Sequence, residues 1–109
     1  MTAEIKIGDK PVMMCGNAAT PIRYKQVFGQ DLMNTFGKMT KTSFDADVLK
    51  QAAYIMHLQA TGADFRAVTF DAFVEWISQF EEDDYLKKVG EIMDLWLRSN
   101  KTTVKSRKN

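Results

Sequence analysis

Residues 46–61 read Ala46-Asp-Val-Leu-Lys-Gln-Ala-Ala-Tyr-Ile-Met-His-Leu-Gln-Ala-Thr61, bounded by Asp45 and Gly62. At 100° per residue, Val48, Leu49, Ala52, Ala53, Ile55, Met56 and Ala60 share one broad face, while Tyr54 and Leu58 fall on the other. A helix that is apolar on both sides needs neighbours on both sides, so this one is expected at the centre of a helical bundle. Gly62 supplies the stop, and the polar stretch 40–47 offers several residues able to cap the start.

Two helices are expected on its C-terminal side. Thr69 caps the first, about 70–81, whose stripe is Phe70, Phe73, Val74, Ile77 and Phe80, with Trp76 at the edge. Asp83 or Asp84 opens the second, about 84–99, in which Tyr85, Leu86, Val89, Ile92, Met93, Trp96 and Leu97 form the clearest amphipathic face of the chain. Leu95 lies off that stripe, among charges. Asp83–Lys87, Asp84–Lys88 and Asp94–Arg98 are acid-before-base pairs at i,i+4.

On the N-terminal side, Thr20 is read as a helix cap with Pro21 at the first helical position. Tyr24, Phe28, Leu32 and Phe36 continue a stripe at four-residue spacing. Gly29 predicts a kink or break, because glycine costs about 1 kcal/mol relative to alanine inside a helix; Gly37 ends the segment. Residues 3–7 alternate strictly, Gly8-Asp9-Lys10-Pro11 is turn chemistry, and Val12 to Cys15 return, so residues 3–15 are expected to form a β-hairpin. The expected architecture is mainly α: a small helical domain of four or five helices with an N-terminal β-hairpin, covering residues 1–98. Residues 99–109 are expected to be a basic, disordered tail.

The chain has 109 residues, 45% hydrophobic and 27% charged, which suits one globular domain. Its longest apolar run, Ala52 to Met56, is far shorter than the roughly 20 residues of a membrane helix. No signal-peptide pattern opens the chain. Cys15 is the single cysteine, so no internal disulfide is expected and nothing points outside a reducing cytosol. The net charge of +1 conceals an asymmetry: residues 1–97 carry ten Lys/Arg against fourteen Asp/Glu, and residues 98–109 carry five Lys/Arg and no acid. An acidic body disfavours broad phosphate-backbone binding.

Catalytic and metal patterns are missing from the sequence. His57 and Cys15 stand alone, whereas a structural zinc site wants four Cys/His ligands. A Cys15–His57 pair would join a strand to a central helix with no positioning motif. No serine sits in a nucleophile elbow, and the six glycines match neither a P-loop nor a dinucleotide fingerprint. Glu81 to Asp84 cannot converge on one ion from a helix start, and acids there favour the macrodipole. A helix-turn-helix reading would put 70–81 in the major groove, but that segment has acids and no Lys or Arg. No enzyme activity, metal or cofactor is expected. Binding is left, and seven methionines suit adaptable apolar surfaces.

Residues 17–32, Asn-Ala-Ala-Thr-Pro-Ile-Arg-Tyr-Lys-Gln-Val-Phe-Gly-Gln-Asp-Leu, preceded by the Glu-Ile-Lys-Ile-Gly-Asp-Lys hairpin, resemble the N-terminus of the phage tail assembly chaperones of long, non-contractile-tailed (siphovirus) phages and prophages. The similarity is concentrated in residues 3–36. It implies a non-enzymatic protein that binds the tape measure protein in the host bacterial cytoplasm, keeps it soluble until tail tube protein assembles around it, and is absent from the mature virion. It also implies a longer product made by translational frameshift, whose extension recruits tube protein; residues 99–109 would then be a linker. The motif identifies a family without marking a site: Tyr24, Val27 and Phe28 are read as core, Arg23 and Lys25 as solvated. A structural particle component, such as a minor tail or head–tail connector protein, is the alternative. Tyr54, Leu58, Trp76 and Leu95 are the candidate contacts for a partner helix or a second copy, provided the folded monomer leaves them uncovered.

Overall fold

The alternation at the N-terminus becomes a hairpin. In the computed structural model, β1 (Thr2–Ile7) and β2 (Lys10–Cys15) pair antiparallel, with Ile5 opposite Val12 and Ala3 opposite Met14. The turn depends on Gly8, whose φ of 66° suits the left-handed conformation of a tight hairpin. The structure describes the backbone of residues 1–31, 34, 38–40 and 43–108, and side chains among these up to Arg98. One face of the hairpin, formed by Ile5, Ile7, Val12 and Met14, is buried. Two strands alone are marginal in water, and this pair gains its support by lying on the central helix.

Five α-helices follow among the described residues: α1 (Thr20–Phe28), α2 (Ala46–Thr61), α3 (Phe70–Ser78), α4 (Glu82–Leu86) and α5 (Val89–Lys108). The helix α2 has the expected bounds. Asp45 accepts from the amides of Asp47 and Val48, at 3.0 and 3.2 Å, and Gly62 closes the other end at φ 71°. As its two apolar faces require, α2 is central. It packs on β2, α1, α3 and α5, and the fully buried Ala52 and Ala53 let neighbours approach closely. One face joins the hairpin and α5 in the main core; Tyr54 and Leu58 on the other join Phe73 of α3.

Three local expectations need correction. Thr20 is not the cap of α1. Ala19 holds that position without a side-chain bond, and Thr20 is buried as the first helical residue. Its hydroxyl oxygen accepts from the Asn17 amide at 3.1 Å and from Gln59 Nε2 at 3.0 Å. A buried hydroxyl must be satisfied, and here the last turn of α2 satisfies it. The break at Gly29 does occur, at φ 74°; the expected continuation through Leu32 and Phe36 lies outside the described residues.

The second correction concerns α3, which stops at Ser78 rather than continuing to 81. The Ser78 hydroxyl donates back to the Val74 carbonyl at 2.6 Å, and the backbone tightens, with Phe80 N–H donating to Ile77 O.

The third concerns the helix expected over 84–99, which is two helices. The Lys88 amide donates to Tyr85 O, a tight i→i+3 turn between α4 and α5. Such a turn advances more steeply than an α-helix, so one helical wheel cannot phase both segments. Leu86 and Leu97, assigned to the stripe, are 40% and 39% exposed, whereas Leu95, assigned outside it, is 1% exposed. Lys88 lies 3.3 Å from Glu91, and Lys50 lies 2.8 Å from Glu82. The backbone of α5 stays helical to Lys108 instead of ending at Ser99. No Gly or Pro follows Gly90 to stop it, and cations near a helix C-terminus favour the macrodipole.

Candidate protein-binding face

A chain of aromatic rings runs from Tyr24, in the main core, across the side of α2 that carries Tyr54. Centroid separations are 5.2 Å for Tyr24–Phe28, 5.4 Å for Phe28–Phe73, 5.5 Å for Phe73–Tyr54, 5.3 Å for Tyr54–Trp76 and 5.1 Å for Trp76–Phe80. Phe28 of α1 and Tyr54 of α2 meet Phe73 and Trp76 of α3, and Phe80 follows the end of α3, so tilted and edge-on aromatic contacts, each worth about 0.5–1.5 kcal/mol beyond burial, join α3 to both helices.

The chain continues to the surface at one place. Phe70 lies 6.4 Å from Phe28 and 5.7 Å from Phe73, yet is 59% exposed, and Val74, one turn on, is 41% exposed. Together with half-buried Phe28 they make an apolar ridge whose inner edge is anchored in the core. Asp71 and Glu75 project from the exposed side of the same helix.

The contacts expected from sequence fall elsewhere. Tyr54 and Leu58 are buried against Phe73, and Leu95 is buried where α5 runs beside Ala3 and Ile5 of β1. These three therefore do not meet the condition of being uncovered in the monomer. Trp76 is half-buried, stacked on His57 at 5.4 Å with a 23° interplanar angle. Phe70 and Val74 belong to the apolar stripe expected over 70–81, yet both are exposed. The signal in the sequence is the width of the stripe: six large apolar residues from Phe70 to Phe80 cover more of a short helix than α1 and α2 together bury.

Several polar groups elsewhere have structural partners, while the buried Tyr85 hydroxyl and Gln59 Oε1 have none among the described residues. The Tyr24 hydroxyl donates to Gln51 Oε1 at 2.6 Å; burial, with a smaller contribution from the Asp45 carboxylate, pushes its pKa up to about 12. His57 Nδ1 lies 2.9 Å from the Met13 carbonyl, and Cys15 Sγ accepts from Asn17 Nδ2. Arg23, exposed as expected, lies over the Phe65 ring at 4.7 Å. Among the described residues no group of three or more His, Cys, Asp and Glu could hold a metal ion, and no helix is long and apolar enough to cross a membrane. Comparison with known proteins finds no matching family model, no matching curated protein and no matching solved structure.

Proposed function

We propose that this chain is a non-catalytic tail assembly chaperone of a siphovirus or prophage, binding the tape measure protein in the host cytoplasm and keeping it soluble until tail tube protein assembles around it. The observation that supports this reading best is the ridge formed by Phe70, Val74 and Phe28: an apolar strip anchored in a rigid aromatic stack and open on one side. A long unassembled helix with apolar stripes aggregates unless the stripes are covered, and a ridge of this kind covers them by helix-to-helix docking. The resemblance of residues 17–32 to such chaperones supplies the identity of the partner. In this reading tube protein is recruited through a frameshifted longer product, and the chaperone stays out of the virion.

Co-expression with the tape measure protein of the same phage tests the proposal. Wild type should bring it into the soluble fraction, and Phe70→Asp/Val74→Asp should not, while remaining folded by circular dichroism. Tape measure protein that is equally soluble with and without the wild-type chain would refute the function. Equal solubilisation by wild type and the double variant would remove the ridge. Recovery of this chain from purified virions would favour a particle component.

A further inference from the structure

We infer that the cavity at the C-terminal end of α3 receives the ammonium of a lysine side chain, carried by the helix that docks on the neighbouring ridge. The cavity measures about 220 Å³ and is lined by Lys50, Ile77, Ser78, Phe80, Glu82 and Tyr85, where α2, α3 and α4 meet. One water takes a share of roughly 30 Å³, so the space admits a side chain. Ser78 and Glu82 are exposed, Ile77 and Phe80 are half-buried, and Tyr85 is 1% exposed, so the cavity leads from the surface to the tyrosine. The Tyr85 hydroxyl has no hydrogen-bond partner among the described residues. Buried hydroxyls are normally paired, and this one marks the polar end of a site that a ligand completes.

The surrounding charges select a cation. Lys50 Nζ lies 2.8 Å from Glu82 Oε2, 4.0 Å from Asp47 Oδ1 and 5.8 Å from the centroid of the Tyr85 ring. Two carboxylates already face this lysine, so an anionic ligand meets repulsion from both. Lys10 reaches Phe80 from the hairpin turn, 5.7 Å from the ring centroid, and its ammonium is committed to the Gln79 carbonyl at 2.9 Å. Residues 67–86 hold Asp71, Glu75, Glu81, Glu82, Asp83 and Asp84 and no Lys or Arg.

Three oxygens of the lining are left to accept. Glu82 keeps Oε1, and the Ser78 hydroxyl donates to the Val74 carbonyl and keeps its lone pairs. Burial, reinforced by Glu82 and then Asp47, pushes the pKa of the Tyr85 hydroxyl upward, so that oxygen is neutral and able to accept. An alkylammonium brings three N–H donors and no acceptor, and Ile77 and Phe80 suit the methylene stem behind it. A guanidinium brings five donors in a rigid plane, more than these oxygens satisfy. Ser78 lies one turn beyond Val74, a rise of about 6 Å. A helix laid along α3 on Phe70 and Val74 therefore carries a residue one turn past its apolar pair over the cavity. The identity of that helix rests on the chaperone reading; the preference for an ammonium does not.

Backbone-amide NMR titration of the full chain with Nα-acetyl-lysine methylamide tests the cavity. Saturable shifts are expected at the amides from Ser78 to Tyr85, and the norleucine analogue, which has the stem without the charge, should give none. Glu82→Gln and Tyr85→Phe should each weaken binding about tenfold. Tyr85→Phe should leave the thermal midpoint unchanged or raised, since it removes a hydroxyl with no partner among the described residues. A lower midpoint would show that this hydroxyl is already paired within the fold and would overturn the proposal. Absent shifts, or equal shifts with the norleucine analogue, would also overturn it. Putrescine that binds about tenfold tighter than the lysine derivative would assign the cavity to a free polyamine instead.

Co-expression separates the site from the partner. Where wild type solubilises tape measure protein, Glu82→Gln/Tyr85→Phe should lower the soluble yield several-fold, and an equal yield would remove tape measure protein as the source of the lysine. Tape measure protein that stays insoluble with wild type would overturn the chaperone reading and this identity of the helix, while the titration still decides the ammonium site.

Discussion

Gln59 Nε2 donates to the hydroxyl of Thr20 across 3.0 Å, joining the last turn of α2 to the first turn of α1. The same nitrogen donates to the Cys15 carbonyl at 2.7 Å, so one amide ties the end of β2, the start of α1 and the central helix together. This is the junction through which the N-terminal motif is held on the bundle.

Replacing Thr20 with Val keeps the shape and removes the acceptor for both Gln59 and the Asn17 amide. Stability should fall by about 1–3 kcal/mol in urea unfolding, the cost of leaving buried donors unpaired. Thr20→Ser should be much milder. Thr20→Asn separates the two roles: it would be tolerated at a helix cap, and it should destabilise here because the larger amide does not fit a fully buried site.

Leu95 is a core residue, so Leu95→Asp should unfold the domain rather than act on partner binding alone. Leu95→Ala should cost about 2–5 kcal/mol, as for other buried leucines. A Leu95→Asp chain with the thermal midpoint of wild type would show that β1 does not cover this position in solution.

Phe70 and Phe73 lie one helical turn apart and should behave oppositely. Phe73→Ala opens a cavity where three rings meet, and about 3–5 kcal/mol should be lost. Phe70→Ala removes a ring that is mostly in water and should cost about 1 kcal/mol at most. Denaturant midpoints of the two variants measure the contrast.

The buried Tyr24 gives the fold an alkaline limit. Its pKa is about 12 in the folded chain against an ordinary value of 10.0. Between these values the unfolded chain has lost the proton and the folded one keeps it, so ionisation favours unfolding. The contribution of Tyr24 is intact below about pH 10 and is lost as pH rises towards 12. Thermal midpoints measured from pH 9 to 12 should fall, and Tyr24→Phe should fall less steeply across that window.

What the sequence determined by itself was whatever is decided within a few residues. The bounds of α2 follow from Asp45 and Gly62, the start of α3 from Thr69, whose hydroxyl oxygen accepts from the Ala72 amide at 3.1 Å, and the hairpin from Gly8 and the alternation before it. These signals are local hydrogen bonds and backbone sterics, and they act whatever packs nearby. The surface was decided otherwise. Whether Leu95, Leu97 or Phe70 is covered depends on where another element lies, and that is a fact of tertiary structure. Val89, Ile92, Met93 and Trp96 are buried as their stripe requires, and β1 covers the adjacent flank carrying Leu95 while Leu97 stays open. On α3 the apolar arc was wider than α1 and α2 together could bury, so Phe70 and Val74 stayed outside. A hydrophobic side chain carries the same gain on burial in any of these positions, about 25 cal/mol per Å² of apolar surface, and only the geometry of its neighbours decides which one collects it.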